Sequence, residues 1–152
     1  MVAHQPFDRW LHCGAGHVHW GAAGAAGLLL GTDARAGTRR YLLIQRSSWV
    51  HEGGTWSVPG GARVSGEDAL RAAHREALEE IGPLPDYRVD QVVVEDCGGG
   101  WTFSTVLAVT STAFTPVPNG EVSDVAWFGA GEMGALELHP GFARFLERHP
   151  LA

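Results

Sequence analysis

The segment REALEEIGP, Arg75 to Pro83, constrains this chain more than any other. Apolar residues at Ala69, Leu70, Ala73, Ala77, Leu78 and Ile81 recur at helical spacing and predict a helix over 67–81 with one apolar stripe. Ser65 followed by Asp68 reads as a capping box at its start, and Gly82-Pro83 as its stop. Leu70, Ala73, Ala77 and Ile81 are expected to face a sheet. The same helix carries Glu76, Glu79 and Glu80, pairs of which sit at i,i+3 and i,i+4. Like charges at these spacings repel by about 0.2–0.5 kcal/mol per pair. At roughly 100° per residue the three carboxylates gather on one exposed face beside or opposite the stripe. Arg75 is placed to pair with Glu79 at i,i+4. Such a cluster of hard oxygen ligands suits Mg²⁺ or Mn²⁺, and a divalent ion would remove the repulsion. A merely solvated acidic face is the alternative.

Around this helix the chain reads as strands. Residues 24–32 and 40–47 are predicted to pair across a turn at DARAG, 55–61 is a short strand ending in Pro-Gly-Gly, and 87–96 and 102–112 are joined through Gly98–Gly100. A further strand covers 124–129, and GFARFLERH (141–149) closes the chain as a helix. The order strands, helix, strands, helix predicts an α/β fold with helices on a mixed sheet. The 152 residues fit a single domain. The first twenty residues show no clear period and read as an N-terminal extension of uncertain role.

With Gly61 six positions before Glu67, and Glu67 eight before Arg75, the pattern Gly61, Glu67, Arg75-Glu76, Glu79-Glu80, Gly82 resembles the Nudix box of the Nudix hydrolases. All seven fixed Gly, Glu and Arg positions of that box are present; Ala77 and Pro83 depart from it at aliphatic packing positions. The likeness extends roughly from Gly24 to Glu137. It implies an α/β/α sandwich with a mixed sheet, and divalent-metal-dependent hydrolysis of a nucleoside diphosphate linked to another group. It further implies that Glu76 and Glu80 are the main metal ligands, that Glu79 shares a second ion or acts through water, and that the Gly60 carbonyl adds a ligand from the turn. Glu67 would support the loop and Arg75 would hold the glutamates in place. For the general base the loop NGEVSD offers Glu121 first and Asp124 second, with Glu95 a weaker candidate.

Arg46, at the end of a strand aimed at the box, is a candidate phosphate contact. Trp49 and Trp56 are candidates for stacking on a base, with core packing the alternative for Trp56; Trp101 is ambiguous in the same way. In ADP-ribose hydrolases of this family a proline often follows the box by about fifteen residues. That position falls near Gly98, where no proline lies. The likeness therefore leans toward a MutT-like nucleoside triphosphate pyrophosphohydrolase that releases a monophosphate and pyrophosphate. An ADP-ribose or nucleotide-sugar pyrophosphatase is the alternative, and a non-catalytic nucleotide sensor on the same fold is a third; intact glutamates weigh against the sensor.

Composition narrows the partners. A formal net charge of −6 argues against a nucleic-acid polymer, which needs clustered Lys and Arg. The apolar stretch GAAGAAGLLLG falls short of the about 20 residues that a membrane span requires. No secretory signal is apparent, and two cysteines, Cys13 and Cys97, suggest reduced thiols. A cytoplasmic monomer or homodimer acting on a small nucleotide is the expectation. His12, Cys13, His17 and His19 are zinc-capable, but adjacent His12 and Cys13 rarely reach one ion together.

Overall fold

The computed structural model describes residues 10–12, 16, 18–20, 23–33, 38–112 and 114–152. A two-stranded hairpin, β1 (Trp10–His12) with β2 (Val18–Trp20), precedes the main sheet. The main sheet holds β3 (Ala25–Thr32), β4 (Arg40–Arg46), β5 (Trp56–Ser57), β6 (Gly60–Ala62), β7 (Arg88–Asp96), β8 (Thr102–Thr110) and β9 (Val122–Gly129). The path is β5-β4-β3-β8-β7, with β6 on β3 and β9 on β4. Helix α1 spans Ala69–Ile81, a 3-10 helix spans Ala130–Ala135, and α2 spans Pro140–Arg148.

Strand β3 reads AAGLLLGT, an unbroken apolar run, and Ala25 through Gly31 are all buried. Such a run belongs at the centre of a sheet covered on both faces. It pairs in parallel with β8, from Ala25 opposite Phe103 to Thr32 opposite Thr110, and antiparallel with β4 and β6. On one face Ala26, Leu28 and Leu30 meet Ala72, Ala73 and Ala77 of α1. The alternate residue Leu29, with Leu43 and Tyr41, meets Met133, Phe142 and Phe145 on the other. The result is the expected α/β/α sandwich with a mixed sheet.

Several local expectations are corrected. Helix α1 is capped by Asp68, whose Oδ1 accepts from the Arg71 N–H at 2.8 Å, and not by Ser65. A turn at Ser65-Gly66, with Gly66 at φ +80°, separates Ser65 from the helix. Leu70 and Leu78 are 40% and 46% exposed, while Ala72 and Glu80 are buried. Three alanines let the helix sit close on the sheet, so the larger leucines fall on its flanks. The predicted strand 55–61 is two short strands, β5 and β6, separated at Val58-Pro59, where proline cannot donate to a ladder. Gly82 ends α1 at φ +78°, its N–H donating to the Leu78 carbonyl at 3.1 Å.

Cys97 is disulfide-bonded, which corrects the reduced-thiol expectation and removes its support for a reducing compartment. Cys13 and His17 lie outside the described residues. Among the described residues no helix is long and apolar enough to cross a membrane.

Candidate active site

Glu80 lies seven residues after Ala73 and three after Ala77, so the helical period turns it inward onto the alanine stripe. It is 4% exposed, against an expectation of an exposed face for all three glutamates. Its Oε2 is buried with no hydrogen-bond partner among the described residues. Burial, then the nearby charge of Glu76, push its pKa up to about 9; Glu121 adds to this, and Arg46 and a hydrogen bond from the Gly60 backbone oppose it. Glu76 is largely buried and is also raised, first by desolvation, against the pull of Arg75. The Glu79 side chain is 55% exposed. The three carboxylates thus form a gradient from interior to solvent.

Arg75 organises this gradient. It forks onto Glu67 through Nε and Nη2, reaches Glu76 at 2.9 Å and Glu79 at 3.4 Å through Nη1, and donates to the Ala62 carbonyl at 3.0 Å. Glu67 is held below the ordinary carboxylate range, first by Arg75, and also accepts from the Val64 N–H at 3.0 Å. The helix is thereby tied to the loop before it. At Gly61 the approach is closer still: a Cβ there would lie 2.6 Å from the Glu76 carboxyl carbon. Only glycine admits that carboxylate beside β6.

The glutamates border a chamber of about 680 Å³, whose lining includes Glu76, Glu79, Glu80, Gly60 and Glu121 together with Arg46, His51 and Arg144. The β4–β9 register shifts between Gln45 and Arg46, and the bulge re-aims Arg46 at the strand's end. Its Nε donates to the His51 carbonyl at 2.8 Å. The loop bearing Glu121 is pinned to α1 by Asn119, whose N–H reaches the Glu80 carbonyl at 2.9 Å and whose Nδ2 reaches that of Glu79 at 3.0 Å. A second cavity of about 230 Å³ adjoins, sharing Arg46, Gly60, His139 and Arg144 with the chamber and walled by Val58, Phe103 and Phe142. Trp101 lines both, with His19 stacked on it at 3.6 Å and 6°.

Other sequence candidates stand elsewhere. Trp49 is 74% exposed and lines neither cavity. Trp56 packs edge-on against Phe128 at 5.1 Å within the core, which is the alternative weighed for it. Asp124 is exposed and accepts from its neighbour's N–H. Glu95 lines the second cavity and not the chamber of the box. Sequence reasoning missed Asn119, Arg144 and His139. His139 had a signal, the proline that follows it at the first position of α2. Its Nδ1 accepts from the Gly141 N–H at 3.0 Å, and burial, then the charges of Arg46 and His51, push its pKa down to about 4.

A divalent cation fits this chamber chemically. A buried carboxylate oxygen without a partner among the described residues, and two carboxyls raised first by burial and then by neighbouring carboxylates, favour added positive charge. Among the described residues no three such groups already converge as ligands, since Arg75 draws Glu76 and Glu79 toward itself.

Comparison with known proteins agrees. The model of the NUDIX domain matches residues 6–149, beyond both ends of the likeness traced in the sequence. A Mycobacterium tuberculosis protein provisionally named 8-oxo-dGTP diphosphatase 3 is 41% identical over 93% of this chain and 68% of its own length. The crystal structure of the Nudix hydrolase RenU from M. smegmatis superposes with a TM-score of 0.80 at 38% identity, over 95% of this chain and 98% of that one. A C. elegans Ap4A hydrolase shares the fold at a TM-score of 0.67 and 22% identity, over 82% and 93%. A domain match that runs almost end to end, together with relatives this similar, makes the chain a member of the Nudix hydrolase family.

Proposed function

We propose that this protein hydrolyses a nucleoside or deoxynucleoside triphosphate to the monophosphate and pyrophosphate, with Mg²⁺ or Mn²⁺ as cofactor. The observation that carries the reading is the chamber itself: Glu76, Glu79, Glu80 and Glu121 line it together with Arg46 and Arg144, beside a cavity walled by Val58, Phe103 and Phe142. Nudix hydrolases act on small nucleotides and generally use divalent metals. In this reading Glu76, Glu79, Glu80 and the Gly60 carbonyl hold the metal. A divalent ion held there would supply charge neutralisation at the phosphates and Lewis-acid activation of the attacking water.

The chain's own residues do the rest. Arg75 fixes the glutamates, and Arg46 and Arg144 hold the phosphates against the carboxylate repulsion. Glu121, which faces Glu76 and Glu80 closely enough to raise both, accepts a proton from the attacking water. The provisional name of the mycobacterial relative supports a triphosphate, and 8-oxo-dGTP among them.

Release of pyrophosphate or phosphate from nucleoside triphosphates, their 8-oxo forms, ADP-ribose, NADH and dinucleoside polyphosphates, each with Mg²⁺, Mn²⁺ or chelator, tests this. Metal-dependent turnover of triphosphates that is lost in Glu80→Gln is expected. Turnover confined to ADP-ribose or dinucleotides would move the assignment to the diphosphate-linked classes. No turnover at all, in folded protein that still binds nucleotides, would favour a sensor.

A further inference from the structure

Helix α2 runs from the chamber into the second cavity. Pro140 lines the chamber, Arg144 lines both spaces, and Arg148, one turn further and about 6 Å along the axis, lines only the cavity. At that end Arg148 Nη1 donates to Glu95 Oε2 at 3.0 Å. The Glu95 side chain is 17% exposed and that of Arg148 61%. Glu95 is the cavity-lining residue of β7 that stands opposite Phe103 in the β7–β8 ladder, and Phe103 is one of the cavity's walls. An aromatic slot joined to a phosphate chamber at one end thus carries, at the other, a carboxylate braced by a guanidinium.

We propose that Glu95, oriented by Arg148, reads the Watson–Crick edge of a guanine-type base bound in this cavity. The inference rests on the nucleotide reading above. An ionised carboxylate only accepts hydrogen bonds, and a guanidinium only donates them. Guanine presents two adjacent donors, N1–H and the exocyclic amine, followed by the O6 acceptor. Glu95 takes the two donors and Arg148 the oxygen. Adenine offers one donor and then a lone pair at N1, which would face the carboxylate. The pyrimidines likewise lack two neighbouring donors. A site with a polar group placed for one edge discriminates against a ligand that leaves the group unmatched. The N7–C8 side of the base lies away from this pair, so Glu95 selects guanine over other bases without distinguishing its oxidised form.

The test has two arms. Calorimetry of GMP and AMP on the wild-type protein, which needs no turnover, should give at least about tenfold tighter binding of GMP. The kcat/KM values for dGTP, dATP, dCTP, dTTP and 8-oxo-dGTP are then compared in wild type, Glu95→Gln and Arg148→Met, with melting curves to confirm folding. The preference for guanine over adenine should fall by about tenfold or more in Glu95→Gln, through KM, because the base edge does not react. Arg148→Met should lower it in the same direction, and the ratio of 8-oxo-dGTP to dGTP should hold in both variants. Equal GMP and AMP affinity in the wild type, or a guanine preference unchanged in folded Glu95→Gln, overturns the proposal. If GMP is preferred and no nucleotide is hydrolysed, the hydrolase reading fails and the base reading stands.

Discussion

Arg75 grips both oxygens of Glu67, Nε to Oε2 at 2.8 Å and Nη2 to Oε1 at 2.9 Å, across the loop that precedes the acidic helix. Lysine keeps the charge but not the planar fork. Arg75→Lys should therefore destabilise the protein by about 2–4 kcal/mol and lower kcat, since the same guanidinium restrains Glu76 and Glu79. Urea unfolding beside steady-state kinetics checks both effects; a variant of wild-type stability would deny Arg75 its bracing role.

Gly61→Ala places a methyl group where the Glu76 carboxylate now lies. The carboxylate must move by an ångström or more. Displacements of that size in a catalytic group cost on the order of 100-fold in rate. The expected protein is folded, with kcat lowered about that much, KM little changed and weaker Mn²⁺ binding by calorimetry. Activity within a few-fold of wild type would show that Glu76 has another working position.

Glu80 links activity to stability in opposite directions. Its folded pKa of about 9 lies above the ordinary glutamate value of 4.5, so the fold favours the protonated form. Metal-free protein should lose stability as pH rises from about 4.5 toward 9, because the buried carboxyl must then ionise. Glu80→Gln should flatten that slope and make the metal-free protein more stable by about 1–3 kcal/mol at pH 8, while abolishing turnover. Mg²⁺ or Mn²⁺ should raise the melting temperature of wild type and not of the variant. A parallel pH profile for the two proteins would count against a strained carboxylate.

His139 behaves in the reverse sense. Its pKa is lowered from 6.5 to about 4, so the neutral ring stabilises the fold fully above about 6.5 and that contribution is lost as pH falls toward 4. His139→Asn retains a capping side chain without titrating, and should remove the acid-side loss in thermal melts. His139→Ala should also remove it, at a cost of about 1 kcal/mol at neutral pH for the missing cap. An unchanged acid profile in His139→Asn would assign that loss to other groups.

Much of the fold could be read in advance because its signals are local. β3 is a continuous apolar run, α1 has a helical stripe, and Gly82 ends the helix by its backbone freedom. The hairpin β1–β2 was missed because two three-residue strands are too short to show a period, and its His19 is placed by stacking on a residue 82 positions away, Trp101. Within the site, residue type misled where position would have served. Glu80 continues the alanine stripe, yet glutamate as a residue type points to solvent. The rings of Trp49 and Trp56 suggest base stacking, but one is left in solvent by its turn and the other is consumed by the core. Arg144 and Asn119 reach the chamber only through tertiary contact, so no spacing in the chain announces them.

The parallel pairing of β3 with β8 bears on how the chain is made. Between those two strands the chain must complete β4, β5, β6, α1 and β7, and the ladder closes only when Phe103 finds Ala25. Closing so long an interval is slow compared with forming a helix. During synthesis, every box glutamate leaves the ribosome before the strand that completes their sheet and before the helix that brings Arg144. A nascent chain with its whole motif exposed therefore has no floor beneath Glu80 and no far wall for the chamber. The chamber appears late, as a product of the final docking step.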